Sequence, residues 1–318
     1  MDATLTFAHL SDPHLTSPAG ASLRDLVGKR MFGYLSWRVR RRGRHRTEVL
    51  EALAHDLDQV RPDHILISGD LTHLGLRHEF EQAQQWLAGL GPPSRLTLVP
   101  GNHDLYAAAP WEHALGLWAP YVASDVGDGA RPVAGPEGCF PVVRLRGPAA
   151  FIGLSSARPS PPFLAVGSVG PGQLRRLERM LAETRKRGLF RALLIHHPVM
   201  DGAVRWRRRL TDADAVRAVL AREGAELVLH GHTHRASLDY LESGAGPIPV
   251  VGVPSASAGG FDDDRRARYH LYTVARRGGG WELTLSVRGY AAGGRFAAQG
   301  EERRLAPSRE SGNRHGVL

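Results

Sequence analysis

The sequence predicts an α/β protein in which two packed β-sheets are flanked by helices, an αββα four-layer sandwich with its chemistry at the carboxyl ends of strands. Three observations predict it. Short β-branched and leucine-rich runs alternate with amphipathic helical stretches over most of the chain. The final third carries strand-like runs with no long helix between them. Asp, His and Asn residues gather where predicted strands end, which is where ligands of α/β sheets usually sit.

In chain order, Thr4 to Leu10 reads as a first strand, and Thr47 to Val60 as a helix, with Val49, Leu50, Leu53, Leu57 and Val60 as its apolar positions. His64 to Ser68 is a short buried strand. Glu79 to Leu90 is helical and Arg95 to Val99 is a strand, with Gly91-Pro92-Pro93 breaking the chain between them. Gln173 to Arg187 sets Leu174, Leu177, Met180 and Leu181 on one helical face, and the strand Ala192 to Ile195 follows. Asp212 to Arg222 is a helix before the strand Glu226 to Leu229. Ile248 to Val253, Tyr269 to Val274 and Trp281 to Val287 are strands expected to supply a second sheet. The domain is expected to span residues 1–300. The charged stretch 301–318 contains Pro307, Ser308, Ser311 and Gly312 without apolar periodicity, and is expected to be disordered.

A chain of 318 residues with 42% hydrophobic and 23% charged side chains has the composition of a soluble globular protein. No apolar run approaches the roughly 18 residues a membrane span requires. Met1 to Phe7 lacks the basic and apolar regions of a signal peptide, so classical secretion is not expected. The lone cysteine, Cys139, excludes an intramolecular disulfide framework and a cysteine-rich zinc site, and points to a reducing, cytoplasmic setting. Any metal must therefore use oxygen and imidazole ligands. The net charge is +9, and much of it is local: nine basic residues and one acid, Asp25, lie between Arg24 and Arg46. The rest of the chain is nearly balanced, its heavy use of Arg, Ala, Gly and Pro fits a GC-rich genome, and nucleic acid is not the expected partner.

Five short blocks carry the chemistry. They are Asp12-Pro13-His14, Gly69-Asp70, Gly101-Asn102-His103-Asp104, His196-His197-Pro198 and Gly231-His232-Thr233-His234, each closing a predicted strand. A lone histidine at a strand end is usually a hydrogen-bonded structural residue, and Gly-Asp is ordinary turn chemistry. Their conjunction is different: two divalent cations held close together need a bridging carboxylate surrounded by carboxylate, amide and imidazole ligands.

With these blocks in this order, residues 5 to 290 resemble the calcineurin-like metallophosphoesterase superfamily, and Gly69-Asp70-Leu71-Thr72 and His196-His197-Pro198 are most similar to its bacterial branch that includes the cyclic-nucleotide phosphodiesterases. The resemblance implies a two-sheet sandwich and places Asp12, His14, Asp70 and His234 around one metal. It places Asp70, Asn102, His196 and His232 around the other, with Asp70 bridging. It favours His196 as ligand over His197, because the family's ligand usually stands two positions before the proline. It further implies that His103 contacts the phosphoryl oxygens or protonates the leaving group, that Asp104 orients the His103 ring, and that a metal-bound hydroxide attacks phosphorus in line. Manganese, iron and zinc all suit such ligands.

The implied substrate is a phosphodiester, with 3′,5′-cyclic nucleotides first. A lipid-linked nucleotide diphosphate hydrolase at the inner face of the membrane is the alternative. It rests on residues 23–46, whose basic residues are mixed with Leu26, Val27, Met31, Phe32, Tyr34, Leu35 and Trp37. This composition suits a helix on an anionic membrane surface or a lid, and equally a helix packed on the domain with solvated arginines. Arg205, Trp206 and Arg207, after the His196 block, are candidate contacts for phosphate or nucleobase. His73, His78 and His113 read as surface or supporting residues. From another class, a non-catalytic nucleic-acid-binding or scaffold protein would be expected to have lost ligands, and all five blocks are intact.

Overall fold

Phe7 sets the layering. In the computed structural model, which describes residues 4–43, 45–125, 136–259 and 265–305, the strand β1 (Thr4–Leu10) runs through the middle of one sheet. From it Phe7 reaches the second sheet, with ring centroids 5.0 Å from Phe151 and 6.4 Å from Phe190, and it stacks on Tyr272 at 5.0 Å. Side chains alternate along a strand, so Phe7 faces the other sheet while Ala8 and Leu10 face the opposite way, and all three are buried.

The first sheet contains β1, β2 (His64–Ile67), β3 (Leu96–Leu98), β10 (Arg268–Arg277), β11 (Gly280–Tyr290) and β12 (Phe296–Arg304), in the order β12-β11-β10-β1-β2-β3. β1, β2 and β3 run parallel, and the remaining three form an antiparallel meander joined to β1. The second sheet has the order β4-β5-β6-β7-β9-β8, from β4 (Val142–Arg146), β5 (Ala149–Leu154), β6 (Phe190–Ile195), β7 (Leu227–His230), β8 (Ser237–Leu241) and β9 (Ile248–Gly252). Its four central strands are parallel and its edge strands antiparallel.

Parallel neighbours need crossovers, and helices supply them. α2 (Thr47–Val60) and α3 (Arg77–Leu90) connect the parallel strands of the first sheet, burying Val49, Leu53, Phe80, Ala83 and Leu87. A one-turn helix, α4 (Pro136–Cys139), precedes the second sheet. There α5 (Gly170–Lys186) and α6 (Ala213–Glu223) pack Leu177, Leu181, Val216 and Leu220 over Ile152, Leu193 and Val228. β6 is apolar apart from Arg191, which pairs with Glu226: Phe190, Ala192 and Leu194 enter the core between the sheets, while Leu193 and Ile195 lie under the helices. Asp56 clamps α2 to the meander, accepting from Tyr269 Oη at 2.6 Å and from Arg288 Nε and Nη2 at 2.6 and 2.7 Å.

The sandwich is as predicted, but its composition differs from the expected one. The strands of the final third do not build one sheet: β9 joins the second, and β10 and β11 join the first beside β1. β5 has Ala149, Ala150 and Gly153, which carry little strand preference, and it forms because β6 pairs along its length. β12 is polar and largely exposed, and β11 supplies its partner. Order therefore continues past the expected boundary at residue 300, through Arg304 to the buried Leu305, whereas 306–318 lie outside the described residues. Trp118 is fully buried, donating from Nε1 to the Phe80 carbonyl at 3.0 Å.

Phe7→Ala is expected to lower unfolding stability by about 3–5 kcal/mol through loss of buried area and an unfilled cavity. Guanidinium unfolding followed by circular dichroism checks this, and a loss below about 1 kcal/mol would contradict Phe7's place between the sheets.

Candidate metal centre

The parallel strands deliver their carboxyl ends to one point. Asp12 and His14 follow β1, Asp70 follows β2, Asn102 follows β3, His196 follows β6, and His232 and His234 follow β7. The backbone turns there in a way L-residues avoid. Asp12, His14, Asp70, His232 and His234 have φ of 51°, 40°, 57°, 66° and 55°, and they are five of the seven non-glycine residues with positive φ among the described residues. Such conformations cost about 1–3 kcal/mol each and persist only where the surroundings fix them.

Those surroundings are specific hydrogen bonds. Asp12 N–H donates to the Gly69 carbonyl at 2.9 Å, and His14 N–H to the Asp70 carbonyl at 3.0 Å. One Asp104 oxygen accepts from the N–H groups of Asp70 and Gly101 at 2.8 and 2.9 Å. The other accepts from Thr72 N–H and Thr72 Oγ1 at 2.9 and 3.1 Å. His232 N–H donates to Asp12 Oδ2 at 2.9 Å, tying the second sheet to the first. The loops pack so closely that a Cβ at Gly101 would overlap Asp70 Oδ1, and one at Gly231 would overlap Ser11 Oγ.

Two overlapping donor sets result. Around the first, His14 Nδ1 donates to the Thr72 carbonyl at 3.0 Å, leaving Nε2 facing Asp70 Oδ2 at 3.8 Å. His234 Nε2 lies 3.2 Å from Asp12 Oδ1, a buried oxygen with no aligned hydrogen-bond donor. Around the second, His196 Nδ1 donates to the Ser68 carbonyl at 2.7 Å. His196 Nε2 then lies 3.4 Å from Asp70 Oδ2, 3.2 Å from Asn102 Oδ1 and 3.2 Å from His232 Nδ1. His232 instead turns Nε2 to the Arg208 carbonyl, 2.9 Å away. A carbonyl only accepts, so the nitrogen bonded to it carries a proton, and in the neutral ring the other presents its lone pair. With His196 neutral, lone pairs 3.2–3.4 Å apart would repel one another unless a cation or a proton lay between them. Bonds of about 2.1 Å to one shared cation impose just such separations. The residues present thus fit divalent ions, with Asp70 Oδ2 common to both sets.

The electrostatics agree. Burial, then neighbouring imidazoles, holds His14 and His232 well below the usual histidine range, so both are neutral. Burial alone would raise Asp70, yet His196 and His103 hold it below the carboxylate range. Burial likewise opposes charge on His196, but Asp70 and then Asp12 push it up to about 9. A proton there occupies the place a cation would take, and metal binding would displace it.

The sequence-predicted residues Asp12, His14, Asp70, Asn102, His196, His232 and His234 are all brought together. His197 is not among them: its Nδ1 meets Ser156 Oγ at 2.8 Å and its Nε2 the Ala165 carbonyl at 3.1 Å, so both nitrogens are engaged elsewhere. The expected pairing of Asp104 with the His103 ring is corrected. Asp104 is occupied by the Asp70 turn, and His103 Nδ1 donates instead to the His73 carbonyl at 2.6 Å. His103 also anchors Asp70, its N–H donating to Oδ1 at 2.7 Å. Arg205, Trp206 and Arg207 are exposed. Trp206 stacks with Arg207 and lines a surface depression with Pro198, Met200 and Val204, while the neighbouring Arg208 reaches the His232 carbonyl at 3.0 Å. His73, read as a surface or supporting residue, is buried and flanks His14 at 5.0 Å. Two residues escaped the sequence reading of the site: His45 flanks His14 at 4.6 Å, and Tyr106 stacks on His103 at 5.6 Å. No spacing rule links these two to the motifs.

A profile of calcineurin-like phosphoesterases matches residues 5–236. The chain belongs to that family. Membership, together with the three donor groupings, makes this calcineurin-like phosphoesterase a metal-dependent phosphoesterase using divalent ions. A Synechococcus protein named a probable cyclic nucleotide phosphodiesterase is 28% identical over 262 residues, covering 81% of this chain and 83% of the relative. A dimetal phosphatase from Danio rerio superposes with a TM-score of 0.62 at 13% identity, over 96% of this chain and 99% of that one, which supports the fold.

Asp104→Ala removes the acceptor for three backbone N–H groups around Asp70. It is expected to weaken metal binding about 10–100-fold while leaving the far-ultraviolet circular dichroism unchanged. Equilibrium dialysis with manganese measures this, and wild-type affinity would contradict the positioning role.

Proposed function

We propose that this phosphoesterase hydrolyses phosphodiesters, with 3′,5′-cyclic nucleotides as its substrates, at a binuclear centre. In this reading Asp12, His14, Asp70 and His234 hold one ion, and Asp70, Asn102, His196 and His232 hold the other. The observation that carries it is Asp70 Oδ2, a buried carboxylate oxygen between His14 Nε2 at 3.8 Å and His196 Nε2 at 3.4 Å, with a donor set on either side. The cyclic-nucleotide assignment is supported by the name of the Synechococcus relative. Nitrogen and oxygen donors without thiolate suit manganese, iron or zinc. Cys139 takes no part, because burial pushes its thiol up to about 11, and the cytoplasmic setting read from it belongs to the proposal.

The ions, when bound, would lower the pKa of a water and neutralise charge on the phosphoryl oxygens. The chain's own residues do the rest. Hydrolysis forms a bond from water oxygen to phosphorus and breaks the ester P–O bond, and the leaving oxygen takes a proton. His103 is suited to handle that proton: it is half-buried at the rim, and its Nδ1–H is fixed on the His73 carbonyl, which sets the orientation of the ring. Asp104 and Gly101 keep Asp70 in its left-handed turn. The ligands Asp12, His14, Asp70, Asn102, His196 and His232 are buried, whereas His103 and His234 are partly open, so a diester approaches from their side.

Metal-stripped protein is expected to be silent toward bis(p-nitrophenyl) phosphate and to regain hydrolysis with manganese, iron or zinc. Asp70→Asn should abolish that hydrolysis, and His103→Ala should lower kcat by about 100-fold or more with metal still bound. Near-wild-type turnover in either variant would sink the assignment. A panel of cyclic nucleotides against p-nitrophenyl phosphate then separates diester from monoester specificity.

A further inference from the structure

The large apolar side chains that stand in solvent are not scattered. Leu23, Val27, Met31, Phe32, Leu35 and Val39 come from one stretch of 17 residues, and Phe163 joins them by leaning on Phe32 with ring centroids 5.5 Å apart. Leu23 and Val39, at its two ends, are 82% and 80% exposed, and among the described residues Trp206 is the one further case. The stretch includes the helix α1 (Lys29–Ser36) and a wide turn over Trp37–Arg41, closed by Arg42 N–H donating to the Trp37 carbonyl at 2.9 Å.

Packing of this helix on the domain is already satisfied by its other side. Leu26 and Trp37 are buried, Leu26 lies with Leu74, Leu76, Tyr34 and Tyr106, and a Cβ at Gly33 would be only 2.6 Å from Tyr106 Oη. The outward apolar residues are therefore surplus to folding, and a contiguous patch of them marks a contact surface. Its charge identifies the occupant. Arg24, Arg38 and Arg42 are exposed in the same stretch. The acid there, Asp25, is turned back on Ser22, accepting from its N–H at 2.9 Å and its Oγ at 2.7 Å. Lys29 and Arg30 point inward, Lys29 to Ser160 Oγ at 2.8 Å and Arg30 to the Gly75 carbonyl at 2.8 Å. Apolar side chains among arginines suit the interfacial zone of an anionic bilayer. A second copy on the same face would set these arginines against themselves.

We propose that this face, led by Val27, Phe32, Leu35, Val39 and Phe163, docks on an anionic lipid surface and holds the metal centre against it. Among the described residues no helix is long and apolar enough to cross a membrane. The face is joined to the centre by side chains: Trp37 lies 6.3 Å from His73, Tyr106 beneath Gly33 stacks on His103, and His45, just beyond the turn, lies 4.6 Å from His14.

The proposal rests on this face alone, so binding is read rather than turnover. The full chain is sedimented with vesicles of phosphatidylcholine, and with vesicles of phosphatidylcholine mixed with phosphatidylglycerol. Binding is expected to the mixed vesicles only and to weaken as salt rises. The double variant Phe32→Ser with Leu35→Ser, and separately Arg38→Glu with Arg42→Glu, should each reduce it about tenfold or more. Hydrolysis of soluble bis(p-nitrophenyl) phosphate should be unchanged in both. Vesicle binding by a protein that hydrolyses nothing would still uphold the docking face while overturning the phosphodiesterase reading. No binding to anionic vesicles, equal binding by the variants, or a dimer that the Ser variants dissociate and that ignores vesicles would overturn the lipid assignment.

Discussion

A carboxylate that must remain charged inside the protein governs this structure. Asp70 is 2% exposed, and an ionised group at such depth carries a desolvation cost of several kcal/mol, as an order of magnitude, unless opposite charge and hydrogen bonds surround it. One of its oxygens accepts the His103 N–H, the other stands between His14 and His196, and its own N–H is held by Asp104. Cations shared by Asp12, His14, Asp70 and the second-sheet histidines would complete that compensation. The same buried cluster that looks costly in isolation is what makes the site a cation trap.

Holding the cluster requires both sheets. His232 and Ser255 reach from the second sheet to Asp12, through Oδ2 and the carbonyl, and His196 reaches from it to the Ser68 carbonyl of the first. Ser11 and Ser255 form a bridge across the same seam. These cross-links over-determine the strained turns, so left-handed backbone at five site residues is tolerated where a free loop would relax. Removing water and flexibility from the seam also sharpens every electrostatic interaction within it.

The segment before α2 adds to this frame the face proposed to dock on lipid. Its inner side, through Leu26, Gly33 and Trp37, completes the wall beside the centre, and its outer side presents apolar residues among arginines. Tyr106 touches both the underside of this helix and the His103 ring.

The sequence by itself determined the layer class, most helices and central strands, and the seven motif residues that converge on one point, because both signals are local. Apolar periodicity reports which face of an element is buried, and Asp70 and His232 each follow a glycine, while His196 stands two positions before Pro198, residues that let the strand end turn. Polar or small-residue strands such as β12 and β5 were not legible, since their order comes from a neighbour's hydrogen bonds rather than their own composition. Which sheet β9, β10 and β11 join was decided only by tertiary pairing, as strands of similar composition fit either sheet until a partner edge is present. Side-chain partners were decided there too. Asp104 supports Asp70 rather than His103, and His73 offers its carbonyl to His103, because nearness in space follows the packing of loops.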